Sequence, residues 1–236
     1  MGQTSTPAPR ALGFLGGTGP QGRGLALRLA AAGHAVWIGS RDPQRAAATA
    51  DELRLELPAA DIASGDNQEV AENAEAVFVT VPYQGQDQLL PPLRGLIGQN
   101  VVVSCGNPLS FDRCGPVPVR IPDGSAAQEC QRLLPEARVI SAFQNVSAVK
   151  LAALDKPLTG HVLLCGDDPA AKEAVAALVL DISQLEPLDA GPLRLSGPVE
   201  DLTAVLVSIN RRYKVNSGIQ LTGVAATPRL AARAGG

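Results

Sequence analysis

Gly17, Gly19 and Gly22 stand at the spacing G-x-G-x-x-G. They follow an apolar run, residues 11–16, and open a helical pattern from Pro20 to Ala32. Each glycine has a mechanical use in that place: a tight turn, close approach of the backbone to a pyrophosphate, and close helix–strand packing. A helix N-terminus behind the turn presents unpaired N–H groups and the positive end of a dipole, which suits phosphate. The spacing alone is a weak signal, and a turn without a ligand is the plainer alternative. The complete strand–turn–helix–strand frame is what makes it read as a dinucleotide site.

The next chemistry-bearing residues choose the dinucleotide. A unit that binds NAD usually carries Asp or Glu at the end of its second strand, where it accepts the ribose hydroxyls. Here that place reads Gly39-Ser40-Arg41-Asp42. A hydroxyl and a guanidinium suit a 2′-phosphate better than a free hydroxyl. Arg45 follows Arg41 by one helical turn, so both cations can face one anion. NADP(H) is therefore the expected cofactor. Asp42 is either a ribose acceptor or a helix cap, and Pro43 behind it favours the cap. The bland alternative makes Arg41 and Arg45 a solvated helix face.

Short apolar runs alternate with helical stretches, which predicts an α/β fold with a parallel, doubly wound Rossmann sheet covered on both faces. Strands are expected at 11–16, 34–39, near Ile62, at 76–81, 101–103, 139–143 and 161–165. Helices are expected at 20–32, from Asp42 to Leu57, from Asn67 as cap to Asn73, at 85–97, 125–134, 147–154, 169–180 and 198–213. Residues 106–123 are rich in Gly and Pro and read as a long irregular loop of the kind that borders sites. The expected division is a dinucleotide-binding domain at 11–146 and a smaller C-terminal α/β domain at 147–228. Residues 1–10 read as a disordered lead-in, and the tail after Pro228 as frayed.

The bulk numbers exclude other classes. The chain has 236 residues, 45% apolar and 18% charged, with a net charge of −3 and no basic stripe. A nucleic-acid or membrane partner is not expected, and aromatics at 3% are too few for a base-stacking platform. No apolar stretch is long enough to span a bilayer, and a cytoplasmic location is expected. Cys105, Cys114, Cys130 and Cys165 form no C-x-x-C and lie far from His34 and His161, so reduced thiols are expected and no metal site. Asp167-Asp168 before Pro169 reads as a helix cap, and Cys105 as an inert buried thiol.

The run Gly16-Gly-Thr-Gly-Pro-Gln-Gly-Arg-Gly-Leu-Ala-Leu-Arg-Leu, with Gly39-Ser-Arg, resembles the NADPH-dependent reductases of the deazaflavin coenzyme F420. Later segments carry the more specific likeness. They are Val101-Val-Val-Ser-Cys-Gly-Asn-Pro-Leu, Ser141-Ala-Phe-Gln-Asn-Val-Ser-Ala, Cys165-Gly-Asp-Asp, Leu188-Asp-Ala-Gly-Pro-Leu and Ile209-Asn-Arg-Arg-Tyr-Lys. The resemblance spans about residues 11 to 224. It implies a cleft between the two domains in which deazaflavin and nicotinamide lie face to face, and it implies a homodimer.

By position, the resemblance implies that Thr18, Gly19, Pro20 and Gln21 cradle the pyrophosphate and that Ser40, Arg41 and Arg45 hold the 2′-phosphate. Val81, Pro82 and Tyr83 would line the nicotinamide side, and Ala148 would offer its backbone to the carboxamide. Gln144, Val146 and Ser147 would face the deazaflavin, with Gly218 and Ile219 closing over it. One departure stands out: the family commonly has histidine where Gln144 stands, and often again at Asn145. An amide donates and accepts but does not titrate near neutral pH.

The activity implied is reversible hydride transfer between NADPH and F420, with small molecules as the only substrates and no residue acting as a nucleophile. Nicotinamide C4 and deazaflavin C5 must come within about 3–3.5 Å for that transfer. Two alternatives stay open: an NADPH-dependent reductase of a flavin or another small electrophile in the same cleft, motivated by the Gln144–Asn145 pair, and a non-catalytic NADP-sensing protein. The related cytosolic oxidoreductase domain of membrane ferric reductases also resembles the chain.

Overall fold

The structure, a computed structural model, describes residues 11–182 and 184–224. The lead-in at 1–10 and the tail beyond Pro228 lie outside the described residues. The first half alternates β1 (Ala11–Leu15), α1 (Pro20–Ala31), β2 (Ala35–Ser40), α2 (Pro43–Glu56), β3 (Ile62–Asp66), α3 (Asn67–Asn73) and β4 (Ala76–Val79). It continues with α4 (Gln86–Ile97), β5 (Val101–Ser104), a small antiparallel pair β6 (Leu109–Phe111) and β7 (Pro116–Pro118), α5 (Ala126–Leu133) and β8 (Arg138–Ser141). The rest is α6 (Ala148–Ala152), β9 (Gly160–Gly166), α7 (Pro169–Asp181), β10 (Leu185–Gly191) and α8 (Ser196–Tyr213).

Eight strands form one sheet in the order β10-β9-β8-β5-β4-β1-β2-β3. The six from β3 to β8 are parallel and reverse their order between β1 and β4, the doubly wound arrangement. β9 joins β8 antiparallel, and β10 joins β9 parallel, so the C-terminal residues extend the same sheet. Near-continuous apolar strands such as Val101-Val102-Val103 follow from burial on both faces. On one face Leu12, Phe14, Ile38, Phe78 and Ile140 pack with α1, α2, α6 and α7; on the other Val77, Val79, Val102 and Val139 pack with α3, α4 and α5. Phe14 and Phe78, paired across neighbouring strands, stack with centroids 4.7 Å apart.

Local chemistry sets the helix starts. Asp42 accepts from the N–H groups of Gln44 and Arg45, so it caps α2. The cap of α3 is Asp66 rather than Asn67: its carboxylate accepts from Gln68 and Glu69, and the Glu69 side chain returns to the Asp66 N–H as a capping box. Asp168 caps α7.

Two elements depart from the expectation. The stretch 106–123 holds the β6–β7 hairpin, turned by Asp112, whose carboxylate accepts from Cys114 and Gly115 N–H. β10 is not among the expected strands, and it contains Pro187, which disfavours a central strand. It stands at the sheet edge, where a missing N–H donor is tolerated.

Candidate active site

In a doubly wound sheet ligands bind beyond the carboxyl ends of the strands, at the point where the order reverses. That point lies between β1 and β4, and the glycine turn sits there. Gly16 has φ +74°, and a Cβ on it would come 2.5 Å from Val81 Cγ1. A Cβ on Gly22 would come 2.5 Å from Thr80 Oγ1 and 2.9 Å from Gly17 Cα. The turn is therefore pressed against the exit of β4, and only glycine fits at either place. Gly17 N–H donates to Phe14 O and Gly39 O, tying β1 to β2. Gly19 is the extended residue before α1, and Thr18 is half-buried beside it. Pro20 is exposed at the helix start. Gln21 Nε2 donates to Phe143 O at 3.0 Å, so this side chain spans from α1 to the exit of β8.

At the end of β2 the Ser40 side chain is buried, and its Oγ accepts from Asp42 N–H. Arg41 and Arg45 are exposed, and neither has an acidic partner among the described residues. Asp42 Oδ1 is occupied in capping α2, beside the two exposed cations.

Beyond β4, Val81 is half-buried, Pro82 exposed, and Tyr83 opens a single 3₁₀ turn. Tyr83 Oη donates to Glu129 Oε1 at 3.4 Å, and Gln86 Nε2 donates to Glu129 Oε2 at 3.2 Å. Burial and the nearby Glu129 carboxylate push the Tyr83 hydroxyl above its ordinary range, and burial raises Glu129 as well.

Past β8, Phe143 adopts φ +70°, a left-handed conformation that costs energy for a residue with a side chain. It redirects the chain into Gln144 and Asn145. The Gln144 side chain is only 4% exposed and points into the sheet ends, where Nε2 donates to Ser104 O and Ser141 Oγ, both at 2.8 Å. Asn145 is likewise buried, with Nδ2 donating to Val199 O and Thr203 Oγ1. Val146 is half-buried, and Ser147 caps α6, placing Ala148 at its first residue. Arg28 of α1 donates to the carbonyls of Lys150, Leu151, Ala153 and Lys156, which fixes α6 against the helix behind the glycine turn. Ser147 Oγ donates to Asn216 Oδ1 at 3.4 Å, bringing the start of α6 beside the segment after α8. In that segment Ile219 O accepts from His161 N–H, and Leu221 N–H donates to His161 Nδ1. Gly218 is exposed between them and Ser147.

Residues 11–108 match the family described as coenzyme F420-dependent NADP oxidoreductase. An F420-dependent NADP reductase of Methanocaldococcus jannaschii is 36% identical over 221 residues, 90% of this chain and 98% of that protein. One from Methanothermobacter thermautotrophicus is 35% identical over 223 residues, 90% of this chain and 95% of that protein. The chain belongs to the F420-dependent NADP reductase family. A crystal structure of a candidate F420-dependent NADP-reductase from an Arthrobacter species superposes with TM-score 0.78 at 25% identity, covering 89% of this chain and 98% of that one. The rat metalloreductase STEAP3 is 30% identical over 200 residues, 85% of this chain but only 37% of that protein.

The residues fit the family's two ligands. Gly16 and Gly22 pack the turn against β4, Gly19 before the helix N-terminus is open enough for a pyrophosphate to approach, and Arg41 and Arg45, without an acidic partner among the described residues, fit a phosphorylated ribose. In the segment after α8, Ser217 Oγ is buried without a partner among the described residues, as is Gln144 Oε1. An orphaned hydroxyl there, beside Gly218, fits a polar ring edge.

Two participants were not foreseen as site residues: Thr203 and Glu200 of α8. Their signal was present, since both fall on the helix face that buries Val199 and Ala204, and polar residues in an apolar stripe ask for partners. Cys105, Cys130 and Cys165 are buried and Cys114 is exposed. Burial drives the Cys105 thiol far above its usual range and lifts Cys130 to about 12 and Cys165 to about 11, which disfavours the thiolate at these three positions.

Proposed function

We propose that this member of the family catalyses reversible hydride transfer between NADPH and coenzyme F420 at the exits of β1, β4 and β8. The observation that carries the reading is likeness over 90% of the chain, which extends through the C-terminal segments as well as the glycine turn. When bound, the two ligands supply the hydride donor and acceptor carbons. This chain's residues bind and orient them. Thr18, Gly19, Pro20 and Gln21 take the pyrophosphate; Ser40, Arg41 and Arg45 take the 2′-phosphate. Val81, Pro82 and Tyr83 face the nicotinamide, and the start of α6 at Ala148 offers main-chain groups to the carboxamide. Val146, Ser147, Gly218 and Ile219 border the deazaflavin, where apolar side chains thin out water. Gln144 Nε2 is engaged at the sheet ends, while its Oε1 is buried without a partner among the described residues.

A flavin as acceptor is the second reading, favoured by the amides at 144 and 145. NADPH oxidation assayed side by side with F420, FMN and FAD separates the two. Turnover with F420 well above that with either flavin is expected; turnover with flavin alone overturns the assignment. Among the described residues no helix is long and apolar enough to cross a membrane, and the proposed location is the cytoplasm.

A further inference from the structure

Thr203 lies on α8, away from the glycine turn, and is half-buried. Its hydroxyl is 3.0 Å from Asn145 Nδ2, 2.9 Å from Asn107 Oδ1 and 3.2 Å from Gln144 O. A hydroxyl has one proton and two lone pairs. It accepts from the Asn145 amide and gives its proton to Asn107 Oδ1 or to Gln144 O. Asn107 Nδ2 also donates to Gln144 O at 3.1 Å. One hydroxyl thus joins three chain segments: the exit of β5, the exit of β8, and α8.

The assembly is anchored on both sides. Asn145 Nδ2 also donates to Val199 O one turn earlier on α8. Glu200, the next residue, accepts from Ala126 N–H at 2.8 Å and Ala127 N–H at 3.1 Å, which bolts α8 to the start of α5. The strained Phe143 stands directly before the segment that Thr203 grips. A left-handed residue with a side chain persists only where its surroundings over-determine it. Thr203, Asn107 and Asn145 supply that determination on the side facing α8.

We propose that Thr203 is a positioning residue for the hydride acceptor, setting the height of the 144–147 backbone that borders the acceptor ring. This rests on the function proposed above. Thr203 acts through Gln144 and Asn145 and touches no reacting atom. Stacked hydride transfer depends steeply on ring separation, so a small shift of that backbone lowers the rate and weakens the acceptor. Gln21, bonded to Phe143 O, and Ala148, which follows the same segment, pass a smaller part of the shift to NADPH, while Ser40, Arg41 and Arg45 at the end of β2 lie outside these contacts.

The test compares wild type with Thr203→Val, which keeps the shape and removes the hydroxyl, and Thr203→Ser, which restores it. Expected for the Val variant is a fall of about tenfold or more in kcat/KM for F420, with a clearly smaller change in NADPH Kd. The Ser variant recovers most of the loss. Should the Val variant not fold, Thr203→Cys, with a weak hydrogen-bonding thiol, stands in its place and the same split is expected. An unchanged kcat/KM for F420, or losses in F420 and NADPH that match, overturns the proposal. Wild-type protein that oxidises NADPH with neither F420 nor flavin overturns the function and this role together. Wild-type turnover with an indifferent variant overturns the role of Thr203 alone.

Discussion

Arg41 and Arg45 are exposed cations at the end of β2, and the nearest candidate acid, Asp42, spends its carboxylate on the α2 cap. That occupation favours the proposed phosphate reader over a ribose-hydroxyl reader. Replacing Arg41 by Ala is expected to weaken NADPH by roughly 1.5–3 kcal/mol, the worth of a hydrogen bond to a charged group, while NADH affinity hardly moves. Equal losses in two titrations would contradict the phosphate role. The Gly39-Ser-Arg-Asp-Pro stretch made this corner legible in the sequence, because the proline behind Asp42 pointed to a cap. Gln144 was less legible. Its residue type says that it can donate and accept, but its direction depends on Phe143 turning left-handed, which no local pattern announces. There the Gln144 Nε2 is bound to Ser104 O and Ser141 Oγ.

Among the elements, α8 carries more of the site than its sequence position suggests. It holds Thr203 against the exits of β5 and β8 and sinks Glu200 into the start of α5. Glu200 is 2% exposed, and burial raises its carboxyl to about 7 despite two backbone donors that favour the charged form, with Asp201 adding to the rise. A folded-state value above the unfolded one means that the folded protein holds this proton more tightly. The associated stability is complete below about pH 4.5 and is lost as pH rises through about 7. Glu200→Gln removes the titration. Against that variant, wild type is expected to lose on the order of 3 kcal/mol in denaturant unfolding between pH 4.5 and 8. Parallel stability curves for the two proteins would contradict the assignment.

The strands and helices of the first half were readable from apolar periodicity and caps, because each buried strand is a short apolar run. β10 was not, because Pro187 is a strand breaker everywhere except at an edge, and edge position is a property of the whole sheet. The β6–β7 hairpin was hidden as well, since its strands are three residues each and β7 reads Pro-Val-Pro.

At the scale of the molecule, one sheet supports both halves of the chain. The parallel part from β3 to β8 puts the glycine turn at the β1–β4 switch point, and the antiparallel join at β9 carries the chain on to β10 and α8. Cross-ties make the two halves a single unit: Gln21 to Phe143, Arg28 to the carbonyls at the end of α6, and Ser147 to Asn216. Such bracing suits a reaction in which the protein does little proton chemistry and holds two rings in register. The most direct test follows the hydrogen itself. With NADPH deuterated at nicotinamide C4 and F420 as acceptor, a single turnover is expected to deliver the deuterium to C5 of the reduced deazaflavin. Deuterium that appears in water, or only in a reduced flavin while F420 stays oxidised, would contradict direct transfer between these two partners.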